Sequence, residues 1–206
     1  MSVAALAPKP LAPAAPVYEP YRWTVKQYDR MVETGMLGPD DRVELLEGVL
    51  VNKMPRNPPH DGTIGLLNPL FVRLLPVEWH LRGQSAITLA RSEPEPDFAI
   101  VRGPAKQYLK RHPRPSDVGL LIEVADSSRL SDRRYKGILY AQAKIPEFWL
   151  INLVEGIIEV YTQPRGGKAP TYRQRQDYRP GEQIPLILNN KEIVKLAVSD
   201  LCPVTA

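Results

Sequence analysis

GLLIEVADSSRLSDRRYK, residues 119–136, is the stretch on which the reading of this chain turns. Leu120, Leu121, Ile122, Val124 and Ala125 form an apolar run broken only by Glu123, the pattern of a central strand covered on both faces. A carboxylate deprived of water is costly unless something compensates its charge, so Glu123 is expected to be paired, protonated or a ligand. The following residues, 131–144, have helical periodicity. Lys136, Leu139, Tyr140 and Ala143 fall at i, i+3, i+4 and i+7, which turns the lysine toward the sheet and packs Tyr140 behind it.

A second acid precedes this stretch in SEPEPD, residues 92–97. Pro94 and Pro96 hold their predecessors extended, and residues 97–101 read as a short strand with Asp97, Ala99 and Val101 on one face. If that strand pairs with the one carrying Glu123, neighbouring backbones lie ~4.8 Å apart and two like charges face each other. A divalent cation between them relieves the repulsion. Mg²⁺, or Mn²⁺ in its place, needs only one or two protein carboxylates and completes its shell with water and substrate phosphate.

Each residue also has an ordinary reading. Asp97 fits a solvated strand start, Glu123 a core acid paired with Lys136, and Glu44 a surface acid on a hairpin. His60 fits a loop histidine that could support the site, and His60, His80 and His112 are too scattered for metal-ligand spacing.

Working outward, 206 residues with 43% hydrophobic and 24% charged content suit one soluble domain over residues 21–206. Residues 1–20, rich in Ala and Pro, read as a disordered arm with no signal-peptide hydrophobic stretch. No apolar run approaches the ~20 residues that span a bilayer, so a cytoplasmic protein without a membrane partner is expected, and a homodimer is left open. The lone Cys202 excludes an internal disulfide and a thiolate zinc site. G-x-S-x-G and H-E-x-x-H motifs are absent, which disfavours serine and zinc hydrolases. A net charge of +4 permits an anionic partner. The densest basic segment, residues 102–114, carries Lys106, Lys110 and Arg111 beside Tyr108, and is the candidate DNA-binding surface. The same spacing also fits a solvated loop.

Along the chain, Thr24 and Gln27 have capping-box spacing for a helix that Gly35 can close. A hairpin follows, over 43–46 and 49–54 around Glu47-Gly48, and Asn57-Pro58-Pro59 is expected to end it. Residues 61–75 read as a helix kinked at Pro69, 79–90 as one or two strands, 147–153 and 157–162 as a hairpin, and 171 onward as further short strands.

The constellation as a whole carries a resemblance. Pro96-Asp97, Glu123 in an apolar strand and Lys136 in the next helix resemble the PD-(D/E)XK nuclease superfamily with its lysine moved from strand to helix; Ala125 stands where the usual lysine would be. RVELLEG (42–48), SEPEPD (92–97), IEVADSS (122–128) and YAQAKIPEFWLIN (140–152) resemble, in order, the motifs of the Uma-two family of restriction-type endonucleases, over roughly residues 22–162. The resemblance implies an α/β fold: a restriction-endonuclease-like core with a mixed central sheet flanked by helices, an N-terminal helix and hairpin, and a β-rich C-terminal extension. It also implies a Mg²⁺- or Mn²⁺-dependent endonuclease acting on DNA. Asp97 and Glu123 would hold the metal, Glu44 would join them, and Lys136 would position water or stabilise phosphoryl charge. The alternative is a catalytically drifted nucleic-acid-binding or mobile-element accessory protein on the same fold.

Overall fold

Strand β5 (Val118–Ala125) is buried along its whole length, as its apolar run requires. The computed structural model describes residues 19–53, 55–126 and 130–202; the expected N-terminal arm falls, up to residue 18, outside them. β5 sits inside a six-stranded sheet ordered β3 (Trp79–Gly83), β4 (Phe98–Arg102), β5, β6 (Glu147–Asn152), β7 (Ile157–Arg165) and β8 (Thr171–Tyr178). Only β5 and β6 run parallel. A parallel pair needs a crossover, and helix α3 (Leu130–Gln142) supplies it.

Alternation along β5 sorts the core into two layers. Leu120, Ile122 and Val124 face helix α2 (Pro58–Leu74), where Leu67 and Phe71 pack on Phe98, Ile100 and Trp149. Leu121 and Ala125 face α3, where Leu139 and Tyr140 meet Ala99, Val101, Phe148 and Leu150. Glu123 shares the α3 side by the same alternation. The hairpin β9 (Gln183–Leu188) and β10 (Lys191–Ala197), with the short α4 (Val198–Leu201), closes the α2 layer through Ile184, Leu186, Leu196 and Leu201.

At the N-terminal end, Thr24 and Gln27 form the expected capping box on α1 (Val25–Glu33), and Gly35 follows the C-cap with φ 73°. Strands β1 (Val43–Leu46) and β2 (Val49–Asn52) pair around Glu47 and Gly48, both at positive φ as a tight twisted hairpin turn demands. β2 ends at Asn52, short of the expected residue 54, and Met54 lies outside the described residues. The hairpin is sewn to residues 92–97: Glu93 N–H donates to the Leu45 carbonyl at 2.7 Å.

Several boundaries differ from the sequence reading, each for a local reason. Asn57-Pro58-Pro59 starts α2: Asn57 caps the His60 N–H at 3.2 Å, and the two prolines occupy first-turn positions whose N–H groups have no helical acceptor. The helix runs on through Pro69 to Leu74. Residues 84–90 hold no named strand beyond β3, because the chain turns there to bring 92–97 beside the hairpin. β4 begins at Phe98, one residue after Asp97. β8 joins the main sheet as its edge, and its polar sequence gives it two exposed faces.

Candidate active site

The antiparallel register of β4 and β5 pairs Phe98 with Ile122 and Ala99 with Leu121, so Asp97, one step before β4, stands opposite Glu123. Both carboxylates are on the α3 side and nearly inaccessible, Asp97 at 4% and Glu123 at 0% exposure. Lys136, at 2%, reaches in from α3: its Nζ lies 2.9 Å from Glu44 Oε2 and 3.8 Å from Glu123 Oε1. Tyr140, one turn further on, donates its hydroxyl to Glu123 Oε1 at 2.6 Å. Strand acids and helix lysine thus meet.

Glu44 is buried, contrary to its reading as a surface hairpin acid. The packing of β1 against residues 92–97 turns its carboxylate inward, where Oε2 also accepts the Glu95 N–H at 3.0 Å. His60 is likewise no loop residue. It sits in the first turn of α2, fully buried, with Nε2 3.1 Å from Asp97 Oδ1 and Nδ1 3.3 Å from Asp61 Oδ1.

Arg133 was not singled out by the sequence reading. It lies three residues before Lys136 and seven before Tyr140, on the same buried face of α3, so the periodicity that flagged Lys136 could have found it. Its guanidinium bridges the two strand acids, with one Nη 3.3 Å from Asp97 Oδ2 and the other paired with Glu123 Oε2. A fork of N–H groups suits that spacing as a single ammonium would not.

Electrostatics separate the two acids. Burial works against the Asp97 carboxylate, yet the His60 hydrogen bond, the Arg133 charge and the Val124 N–H, 2.9 Å from Oδ2, together hold it ionised well below the usual range. Glu123 has the opposite balance: burial outweighs Arg133 and Lys136 and pushes it up to about 7. Lys136 is desolvated too, but Glu123 and Glu44 overcome this and raise its pKa, so it remains an ammonium. Asp97, Lys136, Glu44, His60 and Arg133 border a narrow cleft of about 60 Å³ that also reaches Arg42, Lys53, Arg56 and Asp132, while Glu123 is fully buried and no part of its lining.

Lys106, Lys110 and Arg111 are exposed but are not brought to this cleft. They follow the other end of β4, about 17 Å along a five-residue strand from Asp97. Arg111 is engaged locally, 2.7 Å from Asp117 Oδ2 and 5.0 Å above the Tyr108 ring.

Among the described residues no three His, Cys, Asp or Glu side chains converge as a ready metal cage. Glu123 Oε2 is buried and, among the described residues, is answered only by the Arg133 guanidinium, the cation that the opposed Asp97 and Glu123 require. Two such carboxylates fit a hard ion that takes most of its ligands from water and phosphate.

Comparison with known proteins follows the same lines. The family model described as "Putative restriction endonuclease" (Uma2) matches residues 25–197. A solved structure of a putative nuclease belonging to DUF820 from Anabaena variabilis superposes with a TM-score of 0.62 over 82% of this chain and 94% of that one, at 16% sequence identity. That likeness is one of fold. No curated protein matches by sequence. Among the described residues no helix is long and apolar enough to cross a membrane.

Proposed function

Because the chain belongs to the Uma2 family, described as "Putative restriction endonuclease", we propose that it is a divalent-metal-dependent endonuclease that hydrolyses DNA phosphodiester bonds at the Asp97, Glu123 and Lys136 site. The observation that carries this reading is the meeting of two opposed strand carboxylates with a buried, charged lysine. Desolvating several charges at one end of a sheet is costly for stability alone, and such clusters are a mark of functional sites.

In this proposal Asp97 and Glu123 hold Mg²⁺ or Mn²⁺, and Glu44 supports them through Lys136. The bound ion would polarise the scissile phosphate and acidify water. His60 fixes the Asp97 carboxylate from behind, and the Val124 N–H holds its second oxygen. Arg133 neutralises the pair and must release at least one carboxylate oxygen to a metal. Lys136 is charged, so it acts as a fixed positive group for a phosphoryl oxygen and not as the base that removes the proton from water. Tyr140 orients Glu123 through its hydroxyl.

The Arg133 bridge also favours a second reading, in which a drifted site keeps the fold and binds nucleic acid while the guanidinium takes over charge compensation. Cleavage of supercoiled plasmid separates the two. The nuclease reading expects nicking that requires Mg²⁺ or Mn²⁺, is abolished by chelation, and falls at least ~10²-fold in Asp97→Asn. Metal-independent cutting, or cutting at the wild-type rate by a folded Asp97→Asn protein, would overturn it. Binding without cutting would establish the drifted reading.

A further inference from the structure

The mouth of the cleft carries positive charge that the residues of the cleft floor do not use. Arg42 and Arg56 are exposed, line the cleft, and have no carboxylate partner among the described residues. Lys53, beside them, is already paired with Glu95 at 2.6 Å. We propose that Arg42 and Arg56 grip the phosphate backbone of the DNA and deliver it to the acids; this rests on the nuclease reading of the same site.

Backbone geometry ties both arginines to the cleft. Arg42 precedes β1 and its carbonyl accepts the Lys53 N–H at 2.8 Å, so the open end of the hairpin that carries Glu44 is also the end that presents Arg42. On the other side, the Arg56 guanidinium donates to Gln84 Oε1 at 2.8 Å, while the Gln84 N–H donates to the Asp97 carbonyl at 3.0 Å. Gln84 holds a left-handed φ of 48°, a conformation that side chains other than glycine seldom adopt. This turn continues the β3–β4 ladder by one bond and fixes Arg56 relative to Asp97.

The charge balance explains why such a mouth is needed. Glu44, Asp97, Asp132 and Glu95 line the cleft, with Glu123 buried beside them, and repel a polyanion; Arg133, Lys136 and Lys53 are committed to these acids. Exposed guanidinium groups offer forked donors matched to phosphate oxygens and attract DNA from outside the cleft. Lys106, Lys110 and Arg111 lie at the far end of β4 and cannot serve the same phosphates.

The test is the salt dependence of binding of a short duplex DNA, measured by fluorescence anisotropy with divalent ions chelated. An Arg42→Ala, Arg56→Ala protein should lose a slope of about 2 in log K against log salt, since each phosphate contact contributes ~0.9. Affinity at low salt should fall at least ~10-fold, and Arg42→Lys, Arg56→Lys should restore the slope because it keeps the charge. A wild-type slope in the alanine variant, whether borne by Lys106, Lys110 and Arg111 or by another surface, would overturn the proposal. So would wild-type protein that cuts DNA in an Asp97-dependent way with no slope for these arginines to control. Conversely, a slope governed by Arg42 and Arg56 in a protein that never cuts would sustain the phosphate grip and remove the nuclease reading.

Discussion

Lys136 ties the stability of the protein to its proposed function. Its ammonium touches Glu44 more closely than Glu123, and both carboxylates are buried. Lys136→Ala should therefore destabilise the protein by about 3–5 kcal/mol, mainly by stranding Glu44 as an unpaired buried charge. Adding Glu44→Gln removes that charge while leaving an oxygen for the Glu95 N–H, and should restore most of the melting temperature. Cleavage should remain down by ~10²- to 10³-fold relative to Glu44→Gln alone if Lys136 acts on phosphoryl charge. A double variant that melts normally and cuts as fast as Glu44→Gln would reduce the lysine to a structural partner.

Helix α3 positions three polar side chains of the site, so its seat on the sheet matters. Gly137 is the point of closest approach: a Cβ there would lie 2.8 Å from Phe148 Cε1 and 3.2 Å from Cδ1. The Phe148 ring has little room to yield, because Tyr161 stacks on it at 5.5 Å and Tyr140 meets its edge at 5.3 Å between centroids. Ala is favoured over Gly by about 1 kcal/mol in an ordinary helix interior. Here Gly137→Ala should instead cost about 1–3 kcal/mol through overpacking. Cleavage should fall with it, since Arg133, Lys136 and Tyr140 shift as the helix lifts. An unchanged or raised melting temperature would mean that α3 can move off the sheet freely.

Across the molecule, buried acids set the pH dependence of stability. Burial pushes Glu123 up to about 7 despite Arg133 and Lys136, and Glu147 up to about 7 despite the Trp149 indole N–H 2.5 Å away. Glu93 reaches about 7 for the same reason, against a hydrogen bond from Thr88. These carboxyls hold protons more tightly folded than unfolded, so their contribution is complete below the ordinary value of 4.5 and is lost as pH rises to about 7. Asp97 works in the other direction: its stabilisation is present above 3.8 and disappears on further acidification. The melting temperature should accordingly fall between about pH 5 and about pH 7.5. Glu147, which has no charged partner among the described residues, isolates the effect. Glu147→Gln should flatten that slope and stabilise the protein at the upper end by roughly 2 kcal/mol. An identical slope in the variant would place the lost stability in other groups.

Local chemistry alone determined much of this protein. The β5 run, the capping box of α1 and the Glu47-Gly48 turn are readable because each depends on neighbours within a few residues. So is the approach of Asp97, Glu123 and Lys136: alternation in strands and periodicity in a helix point all three toward one another. Other features depended on partners distant in the chain. Glu44 is buried only because Glu93 and Glu95 pair with β1, and His60 meets Asp97 only because Asn57 and two prolines start a helix at the cleft. Arg133 lay on a legible face of α3, but its charge suggested a solvated residue until two carboxylates stood opposite it. The segment around Lys106 illustrates the reverse: its composition marks a basic surface, and only strand direction, which carries the chain the length of β4 away from Asp97, separates it from the acids. Charge is a property of the residue; whether it is buried, paired or near the cleft is decided by what the fold packs against it.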